Sequence, residues 1–169
     1  MWAGKIGGMF KSPRGHEMRK GRVSIEGQVY LVTTVTRERR PLFGEFGSGC
    51  CASRALTEPE SWPEANCLAW VLMPDHLHLL IELGPREGLS LAVGRIKARM
   101  GMALKRECGL AAIWQHGYHD HALRCDESVL DAARYLIANP VRAGLASSPG
   151  GYPFWDAIWL SPDSDPSNP

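Results

Sequence analysis

Two hydrophobic periodicities organise the chain, and the shorter one marks strands. Residues 27–36, 66–73 and 76–83 are runs rich in β-branched, aromatic and leucine side chains, and each run predicts a β-strand. Only Pro74 and Asp75 separate the last two runs. We therefore expect two adjacent antiparallel strands joined by a tight turn.

Alternation within the third strand separates a core face from a polar face. Successive side chains of a strand point to opposite sides, so one set should enter the core. The members of that set are Leu77, Leu79, Ile81 and Leu83. His76 and His78 then project together from the other face, where two imidazoles can hold one metal ion. A histidine pair is equally typical of residues that end a strand or bond to the backbone.

The longer periodicity predicts helices. From Leu89 to about Glu107 apolar residues recur every three or four positions, which predicts an amphipathic helix that Gly109 ends. Arg95, Arg99 and Arg106 fall on a stripe away from its apolar face, where they could meet a polyanion or simply be a solvated charged face.

The last helix carries two candidate functional residues. Acceptors at Asp126 and Glu127 predict its start. Pro140 disfavours helical geometry at Asn139, so the helix should end close to Asn139, with Tyr135 in its last turn or so. Tyr135 and Asn139 are four residues apart and should share a helix face, which places a phenol beside a neutral oxygen ligand.

The element order predicts an α+β fold. Glycines and prolines in residues 37–65 leave room only for a short helix around Cys50 to Leu56, whose length stays open. Residues 117–124 read most simply as a loop that leads into a fourth strand. The order strand, short helix, strand, strand, helix, strand, helix predicts a ferredoxin-like βαββαβ core with an antiparallel sheet, plus an added C-terminal helix.

Composition indicates one ordinary domain with uneven ends. The chain has 169 residues, 44% hydrophobic and 22% charged, with a net charge of +1. We expect a basic extension over residues 1–22, a single domain over 23–160 and a disordered acidic tail over 161–169. No apolar run approaches the roughly eighteen residues that span a bilayer, and no secretory signal is evident, so we expect a cytoplasmic protein without membrane contact. Five cysteines without Cys-x-x-Cys spacing favour reduced thiols.

Two rival sites remain open from the residues alone. His119 and His121 form a second His-x-His that could complete a four-histidine zinc site with His76 and His78. A zinc hydrolase acting through bound water is therefore one alternative function. Tyr135 could act as a nucleophile through its phenol, and Tyr118 is the alternative tyrosine for that role. The residue four positions after Tyr118 is alanine, however, rather than Asn or Gln.

From about Arg19 to Trp155 the chain resembles the single-tyrosine HUH transposases, and four ordered stretches carry the resemblance. They are Tyr30-Leu-Val-Thr-Thr-Val-Thr with Arg40-Pro-Leu-Phe43, Ala69-Trp-Val-Leu-Met-Pro-Asp-His-Leu-His78, Ile113-Trp-Gln-His-Gly-Tyr-His-Asp-His-Ala-Leu-Arg124, and Ala133-Arg-Tyr-Leu-Ile-Ala-Asn-Pro-Val-Arg-Ala-Gly-Leu145. The Asn-Pro-Val-Arg-Ala-Gly surround resembles most closely the REP-associated tyrosine transposase branch.

The resemblance implies a metal-dependent endonuclease and strand transferase. It implies that His76, His78 and Asn139 bind Mg²⁺ or Mn²⁺, and that Tyr135 attacks single-stranded DNA to form a 5′-phosphotyrosine linkage. The implied partner is hairpin DNA, such as a repetitive extragenic palindrome (REP), handled by a monomer or homodimer in the bacterial cytoplasm, near the nucleoid. A hairpin-binding protein or repressor that no longer cuts is the alternative.

The implied DNA contacts extend beyond the site. Candidate backbone contacts are Arg95, Arg99, Arg106, Arg19, Lys20 and Arg22. Trp114 could stack an unpaired base, or could equally belong to the core.

Overall fold

The computed structural model describes residues 25–160, so the predictions for the basic extension and the acidic tail lie outside the described residues. Helices and strands follow in the order β1 Val29–Val35, α1 Phe46–Thr57, β2 Ala65–Met73, β3 His76–Leu83, α2 Leu89–Cys108, β4 His119–Ala122, α3 Val129–Ile137, α4 Asn139–Arg142 and β5 Trp155–Ala157. Short 3₁₀ turns connect several of them.

The sheet has the predicted antiparallel core. Its strand order is β4-β1-β3-β2-β5, and every neighbouring pair is antiparallel. The first four strands form the ferredoxin-like arrangement, which confirms the predicted fold class. β5 was not predicted, because a three-residue strand is too short to carry an alternating pattern. It extends the sheet at the edge of β2.

Helices cover both faces of the sheet. α1 and α2 pack on one face, where Leu77, Leu79 and Ile81 of β3 are fully buried, as the alternation predicts. α3 covers the other face, where Ala133 and Leu136 pack with residues such as Leu80. Because His76 and His78 share the side of β3 that carries Leu80, the histidine pair lies on the face that α3 covers.

The first helix is longer than its glycines suggest. It spans twelve residues from Phe46 to Thr57, including the segment predicted around Cys50 to Leu56. A Cβ atom added at Gly49 would collide with the Phe154 ring, so glycine at this position permits the helix to approach that ring closely. Gly49 thus reflects tertiary packing rather than a break in the helix.

The last helix has a different N-cap from the one predicted, and it ends close to Asn139 as predicted. Ser128, rather than Asp126 or Glu127, is the N-cap of α3, and its side chain accepts a hydrogen bond from Asp131 N. At the other end α3 stops at Ile137, and Asn139 begins the separate one-turn helix α4. Proline fits the first turn of a helix, where its missing N–H needs no partner, so Pro140 starts α4 as well as ending α3.

Candidate metal and nucleophile site

His76 and His78 converge on one point. Their Nε2 atoms lie 3.1 Å apart and their rings meet edge to face. Two ligand atoms held about 2.1 Å from one metal ion, at a right angle, would be separated by about 3 Å. The spacing of the two Nε2 atoms therefore fits a pair of adjacent ligands on a single ion.

The opposite nitrogen of each ring has a partner that fixes the ring. His76 Nδ1 lies 2.5 Å from an Asp75 carboxylate oxygen, which can only accept, so the neutral His76 ring presents a lone pair at Nε2. His78 Nδ1 lies 2.8 Å from the Thr33 hydroxyl on the neighbouring strand β1. A hydroxyl can donate or accept, so Thr33 satisfies His78 both when its Nε2 carries a proton and when that nitrogen binds a metal. Such outer partners orient metal-binding histidines in general.

His78 is held in the neutral form that metal binding requires. Burial, followed by the charges of His76 and Arg142, lowers the pKa of His78 to about 3. At neutral pH the ring is therefore uncharged, and one of its two nitrogens is free of a proton and able to bind an ion. The contribution of Arg142 also shows that this guanidinium, at the end of α4, lies near the histidine pair.

A strained turn supports His76 from behind. Arg39 donates to the second Asp75 oxygen at 3.0 Å. Partial burial raises the pKa of Asp75, but bonds from His76 and Arg39 outweigh it and hold that pKa below its ordinary value. Glu38 and Arg39 have φ of 58° and 51°, in the left-handed region that residues other than glycine rarely adopt. Such strain concentrates at functional sites, where surrounding contacts maintain it.

Arg142 joins the other two candidate residues. Its guanidinium carbon lies 3.9 Å from the centre of the Tyr135 ring, and its nitrogens donate to Tyr135 O at 2.8 Å and to Asn139 Oδ1 at 2.7 Å. The Asn139 amide nitrogen donates to Leu136 O, which directs Oδ1 toward Arg142. Arg142 thus links Tyr135 and Asn139 across the break at Ala138 between α3 and α4.

The available donor atoms suit a divalent ion of the expected kind. Two neutral imidazoles and one amide oxygen form a mixed nitrogen and oxygen set that accommodates Mn²⁺ well and Mg²⁺ less readily. Within residues 25–160 no group of three or more His, Cys, Asp or Glu side chains could hold a metal ion. A three-ligand site there would therefore need a donor of another type, and the amide of Asn139 is one. Its role as third ligand stays a prediction.

The structure does not assemble the four histidines of the zinc alternative. β1 lies between β3 and β4, so His78 and His119 sit two strand spacings apart, about 10 Å. His121 instead lies 3.0 Å from the Glu127 carboxylate. The second His-x-His pair shares the sheet face of the first pair but not its point of convergence.

Tyr118 lies in the other layer. Its hydroxyl is 2.9 Å from Ser90 Oγ at the start of α2, and its ring packs on the core between the sheet, α1 and α2. Tyr135 belongs to the helix on the histidine face. The fold therefore favours Tyr135 over Tyr118 as the residue able to reach an ion at the histidine pair.

The predicted arginine stripe on α2 is engaged within the protein. Arg95 pairs with buried Glu87, Arg99 with Glu58, and Arg106 with Glu107. A guanidinium already neutralised by a carboxylate would have to break that pair to contact a phosphate. The DNA contacts predicted for these arginines therefore stay predictions, with a competing partner identified for each.

Trp114 belongs largely to the core. Its ring packs against Phe43 with centroids 5.5 Å apart, and its indole nitrogen donates to Lys97 O at 3.0 Å. The structure therefore favours the core role that the sequence left open.

The remaining predicted DNA contacts, Arg19, Lys20 and Arg22, lie outside the described residues. In residues 25–160 no helix combines the length and the apolar character required to cross a bilayer.

The sequence did not single out four residues that complete the site. Asp75 adjoins the histidine pair, and Thr33 faces His78 only after strand pairing brings β1 beside β3. Arg39 requires a left-handed turn that no local pattern predicts. Arg142 did carry a signal, because it lies in the Asn-Pro-Val-Arg stretch one turn beyond Asn139.

Comparisons with known proteins identify the family of this chain. The family profile described as "Transposase IS200 like" matches residues 25–139, more than half of the chain, and the match includes His76, His78, Tyr135 and Asn139. A Haemophilus influenzae protein with the provisional name REP-associated tyrosine transposase is 24% identical over 140 residues, which cover 76% of this chain and 79% of the relative. The Escherichia coli REP-associated tyrosine transposase is 31% identical over 87 residues, about half of each chain.

A solved structure shares the fold. It is a REP-associated tyrosine transposase bound to a REP hairpin, with 26% identity, a TM-score of 0.62, and 79% of each chain covered. The family profile, these relatives and the shared fold lead to one assignment. The protein belongs to the IS200-like transposase family, and its relatives include the REP-associated tyrosine transposases.

Proposed function

We propose that this protein cuts and rejoins single-stranded DNA next to a hairpin, with Tyr135 as nucleophile. The observation that carries the proposal is the convergence of the His76 and His78 Nε2 atoms on the sheet face covered by α3, the helix that presents Tyr135. A site built from a metal-binding pair and a phenol suits transfer of a phosphoryl group without a water nucleophile.

His76, His78 and Asn139 would hold the ion. Bound Mg²⁺ or Mn²⁺ would polarise the scissile phosphate and stabilise the charge that develops during in-line displacement. Asp75 and Thr33 keep the two imidazoles aligned, so that the ligand atoms need little rearrangement when the ion binds.

Tyr135 carries out the covalent step. Its phenolic oxygen attacks the phosphorus, a bond from phosphorus to Tyr135 forms, and the bond from phosphorus to the DNA 3′-oxygen breaks. The phenol loses its proton to solvent or a nearby base, and the departing 3′-oxygen takes up one. Because one phosphoester replaces another, the reverse attack by a 3′-hydroxyl can rejoin DNA, which permits strand transfer.

The proposed substrate is single-stranded DNA with a REP-like hairpin. The structural relative at 26% identity is described as bound to a REP hairpin, and the described fold spans most of both chains. Whether one subunit or two complete the site stays a prediction, as does the bacterial cytoplasm near the nucleoid as its location.

The test is detection of a covalent adduct. The purified protein would be incubated with Mn²⁺ and hairpin oligonucleotides that carry single-stranded flanks, drawn from palindromes of its own genome. A 3′-end label should migrate with the protein in a denaturing gel, whereas a 5′-end label should appear on a released fragment. Tyr135→Phe should abolish the adduct, and Tyr118→Phe, the matched control, should retain it.

Two outcomes would overturn the proposal. Hairpin binding without any adduct would favour a repressor or binding protein. Cleavage without a tyrosine adduct, supported by zinc that is lost in His119→Ala or His121→Ala, would favour a hydrolase.

A further inference from the structure

Arg142 is exposed, and the groups that its guanidinium contacts within residues 25–160 are uncharged. Its guanidinium contacts Tyr135 O, Asn139 Oδ1 and the Tyr135 ring. Among the described residues no carboxylate forms an ion pair with it, in contrast to Arg134, which pairs with Asp131 at 3.1 Å. A guanidinium without a carboxylate partner remains available for a phosphate, which it can bind through two parallel hydrogen bonds.

The same side chain opposes metal binding while it is docked. It occupies Asn139 Oδ1, the atom proposed as third ligand. Its positive charge would also repel a divalent ion bound at Asn139 Oδ1, because the guanidinium donates to that oxygen from 2.7 Å.

We propose that Arg142 is a phosphate-binding residue that docks on Asn139 and Tyr135 when DNA is absent, and that exchanges the Asn139 oxygen for a phosphate oxygen of single-stranded DNA. The exchange frees Asn139 Oδ1 for the metal and neutralises the guanidinium. The inference rests on the proposed function, because it takes the metal role of Asn139 and the DNA substrate from it.

Coupling between DNA and metal follows from this exchange. If phosphate binding removes Arg142 from the site, DNA must increase metal affinity, and metal must increase DNA affinity by the same factor. The protein would then assemble its metal site only on its substrate. A site completed in this order limits metal binding, and hence cleavage, to DNA-bound protein.

The experiment compares Arg142→Gln with Arg134→Gln in a Tyr135→Phe background. That background keeps the ring under Arg142 and removes the nucleophile, so only binding is measured. Arg134 is a matched control because it is an exposed arginine of α3 adjacent to Tyr135 in sequence, and its loss removes the same charge. The probes are Mn²⁺, followed by the electron paramagnetic resonance signal of the unbound ion, and a fluorescent (dT)20 oligonucleotide.

Two results are expected. Without DNA, Arg142→Gln should bind Mn²⁺ at least about fivefold more tightly, within the usual range of coupling between two sites, and Arg134→Gln should not. The dependence of log Kd for (dT)20 on log salt should lose about 0.7 of its slope in Arg142→Gln, the loss of one phosphate contact to a single strand. Arg142→Lys keeps the charge and should keep the slope.

Either of two findings overturns the inference. One is unchanged or weaker Mn²⁺ binding by the DNA-free Arg142→Gln protein when circular dichroism shows it folded. The other is a salt slope that Arg142→Gln shares with Arg134→Gln, or that Arg142→Lys loses as well. Because no step depends on cleavage, the inference and the proposed function can fail independently: missing Tyr135 adducts would count only against the latter.

Discussion

His76 Nε2 and His78 Nε2 face each other at 3.1 Å, held by Asp75 behind one ring and by Thr33 behind the other. Two nitrogen atoms at this distance can share one proton or serve as adjacent ligands of one metal ion. Asp75 and Thr33 thus align the two rings toward one point, and α3 carries Tyr135 on the same side of the sheet.

Removing either histidine should strongly weaken metal binding, because the two rings supply the convergent nitrogens. We expect His76→Ala or His78→Ala to weaken Mn²⁺ binding by more than the roughly 10- to 100-fold that loss of an outer partner costs. His119→Ala is the control: this exposed histidine is on the same sheet face but away from the pair. Titration of Mn²⁺ into each variant checks this, and equal losses in all three would contradict the assignment.

The Thr33 hydroxyl should matter for metal affinity although it is not itself a proposed metal ligand, because it contacts the ring of His78. Thr33→Val leaves His78 Nδ1 without its 2.8 Å partner, so Mn²⁺ affinity should fall about tenfold. The neighbouring Thr34 is fully buried and its hydroxyl has no hydrogen-bond partner within the described structure. Thr34→Val should therefore leave metal affinity unchanged and leave the free energy of unfolding equal or slightly higher. A metal titration that gives equal affinities for the two variants would contradict this role of Thr33.

Two glycines of α1 should respond in opposite directions to alanine. Gly47 is exposed, and a Cβ there meets nothing within 4 Å, so Gly47→Ala should raise the free energy of unfolding by about 0.5–1 kcal/mol through helix propensity. Gly49→Ala places a methyl group into the Phe154 ring and should destabilise by about 1–3 kcal/mol. Urea denaturation measures both. Stabilisation by both substitutions would show that Phe154 can move aside.

Glu127 should contribute stability that acid removes. A backbone hydrogen bond from Arg124 and then contact with His121 hold the pKa of Glu127 below its ordinary value of 4.5. A lowered carboxylate pKa stabilises the fold above the ordinary value, and this contribution is lost as pH falls through the folded value. Glu127→Gln should therefore cost up to about 1 kcal/mol at neutral pH.

The cost of Glu127→Gln should shrink toward zero as pH drops below 4.5. Urea denaturation of both proteins across this range is the measurement. A cost that grows in acid would have the wrong sign for a carboxylate stabilised by these contacts.

The local pattern of apolar and polar residues was sufficient to predict most elements of the fold. The bounds of β3 and the start of α2 at Leu89 follow from alternation and helical period, and Gly109 ends α2 with a φ of 67° as a glycine C-cap should. The turn at Pro74 and Asp75 sets the register of the hairpin. These features depend on residues close in sequence, so a single sequence predicts them well.

Features that depend on distant contacts were missed. The extent of α1 depends on how Gly49 packs against Phe154, more than a hundred residues away. β5 forms only because β2 offers an edge to Trp155–Ala157.

The residues of the candidate site also form two groups, those that the sequence predicts and those whose roles depend on distant contacts. His76, His78, Tyr135 and Asn139 follow from spacing and family resemblance, whereas the role of Thr33 emerges only from strand pairing. Arg142 lies in a recognisable motif, but only the structure shows what its guanidinium contacts. The Arg142 contacts matter most here, because the guanidinium joins Tyr135 to Asn139 across the break between α3 and α4.

The most direct test of the account identifies the residue that becomes attached to DNA. Trypsin cleaves after Arg134 and Arg142, so Tyr135 falls in an eight-residue peptide that contains no other tyrosine, whereas Tyr118 falls in a separate peptide. After reaction with hairpin DNA and Mn²⁺, nuclease digestion and mass spectrometry would locate the remaining nucleotide. We predict a phosphodiester-linked nucleotide on Tyr135. A nucleotide on Tyr118, or cut DNA with every tyrosine unmodified, would contradict the account.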